Sequence, residues 1–469
     1  MVFSSSVFLF LFLPMLLIFY FLPVKKFIDT RKYRNFILLL ASVFFYWWGD
    51  STFVFIMLFS IAVNWWLGLR IDKDRKNKKK YVTVATVYDL GILFIFKYLG
   101  FFTFNIAQII GTDSIIVELA LPIGISFFTF QMLSYVLDVA NDTAKCQKSF
   151  FDVALYIVMF PQLIAGPIVR YETVANEIQN REENFDEFSE GMCRFIKGLA
   201  KKVILANNFA VLADLVFDGV ISEISVITAW IGAFAYTLQI FYDFSGYSDM
   251  AIGLGKIFGF HFLENFNFPY ISKSISEFWR RWHISMGTFF RDYVYIPLGG
   301  SKVDEKWKVY RNLFVVWLLT GIWHGANWTF IVWGLMYGLL ICFEKLIGFE
   351  KQTKKLGILS NLYTMFFVII GWVIFRADSL GQAGLYLSAM FGRLGNPVLD
   401  NGVQFLKQFA VYFILGILFA LPIENIKLSK CDEKVTGKIL YVAGTVGVFV
   451  IAMAFVTKGG YNPFIYFNF

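Results

Sequence analysis

Long apolar segments alternate with short basic segments along the whole chain. The first apolar run, SSVFLFLFLPMLLIFYFLPV, covers residues 5–24 and is long enough to cross a bilayer. It has no basic segment before it and no small-residue cleavage site after it, which favours a retained span over a removed signal peptide. Basic clusters follow at residues 25–34, 70–80, 273–311, 351–355 and 427–438. The positive-inside rule predicts that all of these clusters face the cytoplasm.

The apolar runs between the basic clusters predict membrane-crossing helices. The region 81–169 is almost continuously apolar and is expected to hold three or four of them. The other predicted spans are 5–24, 36–49, 52–69, 203–217, 224–244, an out-and-back pair in 313–343, 363–375, 405–421 and 439–456. With both termini outside, the chain makes ten or twelve crossings. No repeat or linker interrupts it, so we expect one all-α polytopic membrane domain over 1–469, with a catalytic core at about 120–345.

Composition supports a membrane protein and excludes a nucleic-acid-binding one. Hydrophobic residues make up 58% of the chain and charged residues 16%, with a mean hydropathy of +0.62. A soluble domain has roughly a quarter charged residues. The net charge of +8 lies in short loops, where it directs topology and contacts anionic lipid. The four cysteines and three histidines have no metal-ligand spacing, so no metal site is expected.

The stretch GIWHGANWTF places His324 inside apolar sequence. Two full spans with a turn need about forty residues, because each takes roughly twenty, whereas 313–343 supplies thirty-one. His324 is thirteen residues beyond Arg311, about 20 Å along a helix, so it is predicted to lie at membrane depth. Gly321 and Gly325 flank it and allow a close approach. The pattern favours a general base in a recessed cavity over a structural buried histidine.

A second histidine lies in SISEFWRRWHISMGTFFRDYVYIPLGG, residues 274–300, which charged residues prevent from being a span. An apolar stripe at helical spacing predicts one interfacial helix at the cytoplasmic surface; its members are Phe278, Trp282, Met286, Phe289 and Tyr293. His283 and Arg280 fall off that stripe. A plain headgroup anchor is the alternative, but it does not account for a histidine. The third histidine, His261, is interpreted as structural.

Signatures of soluble enzymes are absent from the sequence, which contains no GxSxG, HExxH or Walker A motif. The glycines of GLGKIFG, residues 253–259, are best explained by close helix packing. Just before them, FYDFSGYSDMAIG carries Asp243 and Asp249 in or near an apolar run. A carboxylate at membrane depth is expected to pair with a cation or to orient a polar partner, the alternative being a loop at the membrane surface.

Several motifs together resemble the membrane-bound O-acyltransferase superfamily: FPQLIAGPIVRY, DFSGYSDMAIG, FWRRWHIS, RDYVYIPLGG and GIWHGANWTFIVWG. The resemblance covers essentially the whole chain and is greatest to the bacterial alginate O-acetyltransferase branch. It implies a ring of tilted helices around a central funnel, with amphipathic interfacial helices. It also implies that the membrane-embedded His324 is catalytic and that His283 is the additional histidine of this branch.

The resemblance implies acetyl transfer across the membrane to a polysaccharide. The expected donor is acetyl-CoA, used as a substrate with no bound cofactor, and the acceptor lies outside. Because moving either acetyl-CoA or the polysaccharide through a hydrocarbon core has a high free-energy cost, only the acyl group is expected to cross the membrane. Arg280, Arg281 and Lys273 would hold the donor phosphates, and His324 would deprotonate the acceptor hydroxyl. The residues expected to bind substrate are Arg280, Arg281, Trp282, Trp323, Asn327 and Asp249.

The end of the chain, YNPFIYFNF at residues 461–469, has five aromatic residues among nine. We expect it to fold back into the outer funnel and to place Tyr466 near His324. Tyr466 would then be catalytic, accepting the acyl group and passing it to an extracytoplasmic partner of the SGNH acetyltransferase or esterase type. The alternative is an interfacial aromatic belt.

Two other functions remain open at this point. The same scaffold could transfer a D-alanyl group from a carrier protein to teichoic acid. A glycan transporter with a proton-relaying histidine is expected to show an inverted repeat, and the sequence has none. In each case the protein would be a multi-pass protein of the bacterial cytoplasmic membrane with both termini extracytoplasmic.

Overall fold

The computed structural model describes residues 1–24, 29–164, 166–400, 402–422, 435–463 and 465. Over these ranges the regular secondary structure is helical, and one isolated bridge pairs Phe266 with Trp282. The all-α expectation is therefore confirmed.

The described part of the chain is built mainly from helices. Their bounds are α1 Phe8–Tyr20, α2 Thr30–Gly49, α3 Val54–Lys73, α4 Arg75–Ile110, α5 Ile125–Ala140, α6 Phe150–Val158, α7 Phe160–Leu163, α8 Tyr171–Asn180, α9 Phe185–Ala200, α10 Asn207–Phe217, α11 Val226–Ile257, α12 Ile275–Arg281, α13 Ile284–Phe290, α14 Lys306–His324, α15 Trp328–Ile347, α16 Phe349–Leu356, α17 Ile358–Arg376, α18 Leu380–Met390, α19 Val403–Gln408, α20 Ala410–Ala420 and α21 Val435–Thr457. A 3₁₀ turn occupies Pro269–Ile271, and π-helical turns occupy Lys201–Ala206 and Arg291–Tyr295.

Five helices in the described part of the chain are long and apolar enough to cross a membrane. They are α3, α4, α15, α17 and the Ile439–Thr457 portion of α21. The shorter helices α1, α5 and α20 are also apolar. The chain is thus a polytopic helical membrane protein, as the sequence predicted, while the number of ten or twelve crossings stays a prediction.

The chain forms two compact units. The first comprises Met1–Ile196 and Tyr247–Leu263, and the second comprises Lys197–Gly246 and the described residues of Glu264–Phe469. In the first unit, Asn64 Nδ2 on α3 donates to Asp89 Oδ1 on α4 at 2.8 Å, and both residues are buried. Lipid offers no hydrogen bonds, so buried polar side chains in apolar helices are stabilised by such contacts between helices.

The second unit has an aromatic core built around tryptophans. Trp372 on α17 and Trp333 on α15 are 1% and 0% exposed. The ring of Trp282 lies 4.8 Å from that of Trp372, and the ring of Trp279 lies 4.9 Å from that of Tyr337, between ring centroids. Each large aromatic side chain removes a large apolar area from water, and tilted ring pairs add a further contribution. This core holds the segment around residues 275–290 against α15 and α17.

Candidate active site

His324 is the last residue of α14. Gly325 continues in an extended conformation, and Asn327 caps α15 by accepting a hydrogen bond at Oδ1 from the Thr329 amide at 3.0 Å. The helix therefore ends at a short connection, because Asn327 begins a new N-cap three residues after His324. The His324 side chain is buried, with the residue 6% exposed.

Glycines bring the two helices of this hairpin into backbone contact. A Cβ on Gly321 would lie 2.6 Å from the Phe330 carbonyl oxygen, and one on Gly334 would lie 2.5 Å from the Trp317 carbonyl oxygen. Real Cβ contacts are not that short, so any side chain at either position must push the helices apart. The close approach beside His324 that the sequence indicated is thus made by α15 itself.

The His324 imidazole lies among aromatic rings. Its ring centroid is 4.9 Å from Trp323, 4.9 Å from Trp333 and 5.3 Å from Phe375, with interplanar angles of 73–83°. Helices α14, α15 and α17 each supply one of these rings. Such a surrounding fixes the imidazole position and lowers the local dielectric, which strengthens any polar contact made there.

The prediction of one continuous interfacial helix over residues 274–300 is wrong. The segment forms α12 and α13, with His283 between them in the left-handed region at φ +48°. Backbone bonds to a preceding loop replace the helical ones: the Asn267 amide donates to the Arg281 carbonyl at 2.9 Å, and the Ile284 amide donates to the Asn265 carbonyl at 3.0 Å. Because of this break, His283 is fully buried instead of facing the cytoplasmic surface.

Asn265 contacts the His283 ring directly. The Nδ1 atom of His283 lies 3.1 Å from Asn265 Oδ1. The other ring nitrogen, Nε2, is buried and has no hydrogen-bond partner in the described part of the chain. Burial lowers the pKa of His283 to about 3, so the ring is neutral at physiological pH.

The structure brings the two predicted catalytic histidines together. The Trp323 ring lies 6.1 Å from the His283 ring and 4.9 Å from the His324 ring, between centroids. All three residues belong to the second unit. The two imidazoles and the indole that contacts both therefore form one buried cluster, which contains a proton acceptor and an oriented hydrogen-bonding group.

The predicted substrate-binding residues are distributed differently. Arg280 is exposed and pairs with Glu350 at 2.6 Å, and Arg281 pairs with Glu277 at 2.9 Å. Trp282 is buried in the aromatic core, at 4% exposure. The side chain of Asn327 caps α15 and donates to the Asp378 carbonyl at 2.8 Å.

Asp249 and Tyr466 are the remaining predicted site residues. Asp249 belongs to the first unit, where its half-buried carboxylate pairs with the cation of Arg194 at 2.8 Å. Tyr466 lies outside the described residues.

Glu344 is a supporting residue that the sequence reasoning missed. It is 2% exposed and caps α12: its carboxylate accepts from the amides of Ile275 at 2.6 Å and Ser276 at 3.0 Å. The Ser276 hydroxyl adds a third bond at 2.8 Å. A lone carboxylate in the apolar helix α15 was the available signal, because such a charge needs a fixed partner.

A buried ion pair anchors the end of the chain. Lys202 Nζ lies 2.6 Å from Asp243 Oδ1, and both side chains are almost fully buried. Lys202 also donates to the Pro463 carbonyl, and Asp243 Oδ2 accepts from the Ile465 amide at 3.0 Å. Ile465 itself is buried in the core of the second unit. Pro463 and Ile465 are therefore held by the folded protein through these contacts, while the placement of the tail near His324 stays a prediction.

Comparison with known proteins gives consistent matches. The membrane-bound O-acyltransferase family model matches residues 40–380. A "probable alginate O-acetylase" of Azotobacter vinelandii is 38% identical over 509 aligned residues, covering 100% of both chains. A peptidoglycan O-acetyltransferase of Helicobacter pylori is 32% identical over 100% of this chain and 98% of its own. A teichoic acid D-alanyltransferase of Bacillus subtilis is 30% identical over 54% of this chain and 68% of its own.

Proposed function

The chain belongs to the membrane-bound O-acyltransferase family and is a membrane-embedded acyltransferase, and from that premise we propose that it O-acetylates an extracytoplasmic polysaccharide. Relatives that match its full length are named for O-acetylation of alginate and of peptidoglycan. The donor in this proposal is a cytoplasmic thioester, acetyl-CoA. The protein would lie in the bacterial cytoplasmic membrane with both termini outside.

The observation that carries the proposal is the buried pair of histidines beside Trp323. His324 takes the proton of an acceptor hydroxyl as the hydroxyl oxygen attacks the thioester carbonyl carbon. The new C–O bond forms, and the C–S bond breaks with its electron pair remaining on sulfur. The thiolate then recovers the proton from the imidazolium, so that an ester and a thiol are released and His324 is neutral again.

Arg280 and Arg281 are proposed to hold the donor phosphates. Their present partners, Glu350 and Glu277, are themselves partly exposed. Exposed ion pairs contribute little, typically about 0–1 kcal/mol, so a polyanion can replace the carboxylates at small cost. Binding of labelled acetyl-CoA to purified protein tests this proposal, with weaker binding expected for Arg280→Gln. Unchanged binding would show that these arginines form surface ion pairs and do not bind the donor.

Tyr466 is proposed to supply the acceptor hydroxyl of this step: its phenol oxygen takes the acetyl group from the thioester and then gives it to an extracytoplasmic SGNH-type partner, whereupon the phenol recovers its proton. The supporting observation is that its neighbour Ile465 is buried and that the backbone at Pro463 and Ile465 is bonded to Lys202 and Asp243. Contacts of this kind hold a chain segment that would otherwise fray.

Full-length similarity supports acetyl transfer over the D-alanyl alternative. The O-acetyltransferase relatives match 100% of this chain, whereas the D-alanyltransferase of Bacillus subtilis matches 54%. The two donors are distinguished directly by supplying purified protein with labelled acetyl-CoA or with a D-alanyl carrier protein.

The central experiment measures acetyl esters on the surface polysaccharide of cells that express the protein or its His324→Ala variant. A general base contributes about 10²–10⁴-fold, so the variant is expected to lose nearly all ester while inserting normally. Normal acetylation by a well-expressed variant would refute the role of His324.

A second experiment tests the tail. Tyr466→Phe and deletion of residues 463–469 are both expected to abolish acetylation while donor binding persists. If only the deletion abolishes acetylation, the tail docks without carrying the acyl group. If neither change matters, the tail is part of an aromatic belt.

A further inference from the structure

Asn265 presents one atom to three hydrogen-bonding groups. Its Oδ1 lies 3.1 Å from the Ser285 amide nitrogen, 2.9 Å from Ser285 Oγ and 3.1 Å from His283 Nδ1. A backbone N–H can only donate, so the atom of the Asn265 amide that faces Ser285 must be the oxygen. The orientation of this side chain is therefore fixed by chemistry and not by an arbitrary choice between oxygen and nitrogen.

An amide oxygen carries no hydrogen, so the proton of the Asn265–His283 bond must sit on the ring. A bare Nδ1 would oppose two lone pairs at 3.1 Å. A neutral imidazole has a single N–H, and the buried ring is neutral. Nε2 consequently holds a lone pair and can accept a hydrogen bond but cannot donate one.

This acceptor lies in the aromatic cluster of the active site. The groups that contact the His283 ring are uncharged: Phe244 at 4.6 Å and Trp323 at 6.1 Å between centroids, with Asn265 and Ser285 on the Nδ1 side. Within the described residues no protein group donates to Nε2. A buried acceptor without a donor is costly, and a donor group bound beside it would remove that cost.

We propose that Asn265 is a positioning residue that holds His283 in the Nδ1–H tautomer and makes Nε2 the acceptor for a neutral O–H or N–H group of a substrate. The identity of the substrate rests on the proposed function, whereas the tautomer does not. Two sources supply this chemistry: the hydroxyl of the acceptor, and an amide N–H on the arm of the thioester donor. A residue that orients a histidine through its second ring nitrogen is expected to contribute about 10–100-fold to activity.

Nitrogen-15 NMR of the purified full-length protein tests the tautomer directly. With only three histidines in the chain, selective histidine labelling gives three ring systems, and His283→Gln assigns one of them. We expect Nδ1 of His283 to carry the hydrogen and Nε2 to be bare. A hydrogen on Nε2 would overturn the proposal even if acetyl transfer were normal, whereas a bare Nε2 in a protein that transfers no acetyl group would refute only the proposed function.

The same resonance distinguishes the two ligand sources. Acetyl-CoA and a short acceptor glycan are added separately, and the Nε2 signal is followed. A change in the Nε2 signal on adding acetyl-CoA shows that Nε2 binds an amide N–H of the thioester arm. A change on adding the glycan shows that Nε2 binds a glycan hydroxyl. No change with either would overturn the acceptor role.

Variants of Asn265 test its effect on the reaction. Asn265→Leu removes the acceptor oxygen and is expected to lower kcat about 10–100-fold. Asn265→Asp keeps an oxygen opposite Nδ1 and is expected to retain more activity than the leucine variant. Its carboxylate also raises the pKa of His283, so the acid limb of its pH–rate profile moves to higher pH.

Asn361→Leu is the matched control. The Asn361 side chain also bonds to the backbone of a loop, because its Nδ2 atom donates to the Ile271 and Ser272 carbonyls at 2.7 and 3.1 Å. This variant is expected to lose stability comparably and to keep the wild-type kcat and pH profile. Wild-type activity in Asn265→Leu, or equal loss in the leucine and aspartate variants, would overturn the proposal.

Discussion

The three imidazoles of this chain lie in three different surroundings. His283 is fully buried against uncharged groups, and His324 lies in an aromatic cluster. His261 is partly exposed, with Nδ1 2.8 Å from Glu177 and Nε2 3.1 Å from Glu187. The sequence separated His261 from the other two by its lack of supporting motifs, and the ion pairs explain it as a structural residue.

The titration of His261 is predicted to occur above the usual pKa of 6.5. Burial lowers its pKa, but hydrogen bonds and charge from Glu177 and Glu187 outweigh that effect and raise it. A raised folded-state pKa stabilises the fold fully below pH about 6.5, and this contribution is lost as pH rises through the higher folded value.

An NMR titration from pH 5 to 8 measures this directly, and the thermal stability of His261→Gln should depend less on pH than that of the wild type. His283, with its pKa near 3, is the internal control and should not titrate in this range. A His261 midpoint below 6.5 would contradict the assignment of its glutamate partners.

At the level of helices, the α14–α15 hairpin depends on positions without side chains. Gly334→Ala is predicted to destabilise the protein by about 1–3 kcal/mol, because the added Cβ meets the Trp317 carbonyl at 2.5 Å. The displaced backbone also moves His324, so acetyl transfer should fall with stability.

Gly447→Ala in α21 is the matched control for that substitution. A Cβ at Gly447 meets nothing within 4 Å, so the same chemical change is expected to keep activity and to leave the melting temperature unchanged or slightly raised, because alanine is the better helix former. Equal destabilisation by the two substitutions would show that contact between the helices is not the cause.

The cap of α12 gives a second test at this scale. Glu344→Ala leaves the amides of Ile275 and Ser276 without their acceptor. Losing a buried hydrogen-bonding partner costs about 1–3 kcal/mol, so thermal stability should fall. Because α12 leads directly into His283, acetyl transfer is expected to decrease as well. Glu344→Gln keeps one acceptor oxygen and should therefore retain more thermal stability and more acetyl transfer than Glu344→Ala. Equal losses in the two variants would argue against the capping role.

Over the whole chain, the sequence predicted elements whose signals are local. Apolar runs located the helices, and short spacing with flanking glycines located the His324 hairpin. The break at His283 was missed because Phe278, Trp282 and Met286 all face the core on both sides of it, so the helical spacing persists across a residue with φ +48°. The cause of the break is Asn265, eighteen residues earlier, which leaves no periodic signal.

Long-range partners were equally invisible in the sequence. Asp243 was expected to find a cation or a polar partner and has both, but the Ile465 amide is 222 residues away. The carboxylate of Glu344 and its partners in α12 are separated by 68 and 69 residues. Side-chain chemistry indicated that such residues need partners, and only the fold identified them.

The two charged groups of the Lys202–Asp243 ion pair cannot exchange places without losing their contacts to the backbone of the chain end. The ammonium donates to the Pro463 carbonyl, and the carboxylate accepts from the Ile465 amide, so the pair recognises the direction in which the peptide runs. In Lys202→Asp/Asp243→Lys the charges still attract, yet a carboxylate would face a carbonyl and an ammonium would face an amide hydrogen. Each single substitution is expected to make the chain end more susceptible to carboxypeptidase. Exchanging the two charges is not expected to restore resistance. If the exchanged protein resists carboxypeptidase, attraction between the two charges is sufficient to hold the chain end. If it does not, the ion pair binds a peptide segment in one direction and not in the reverse direction.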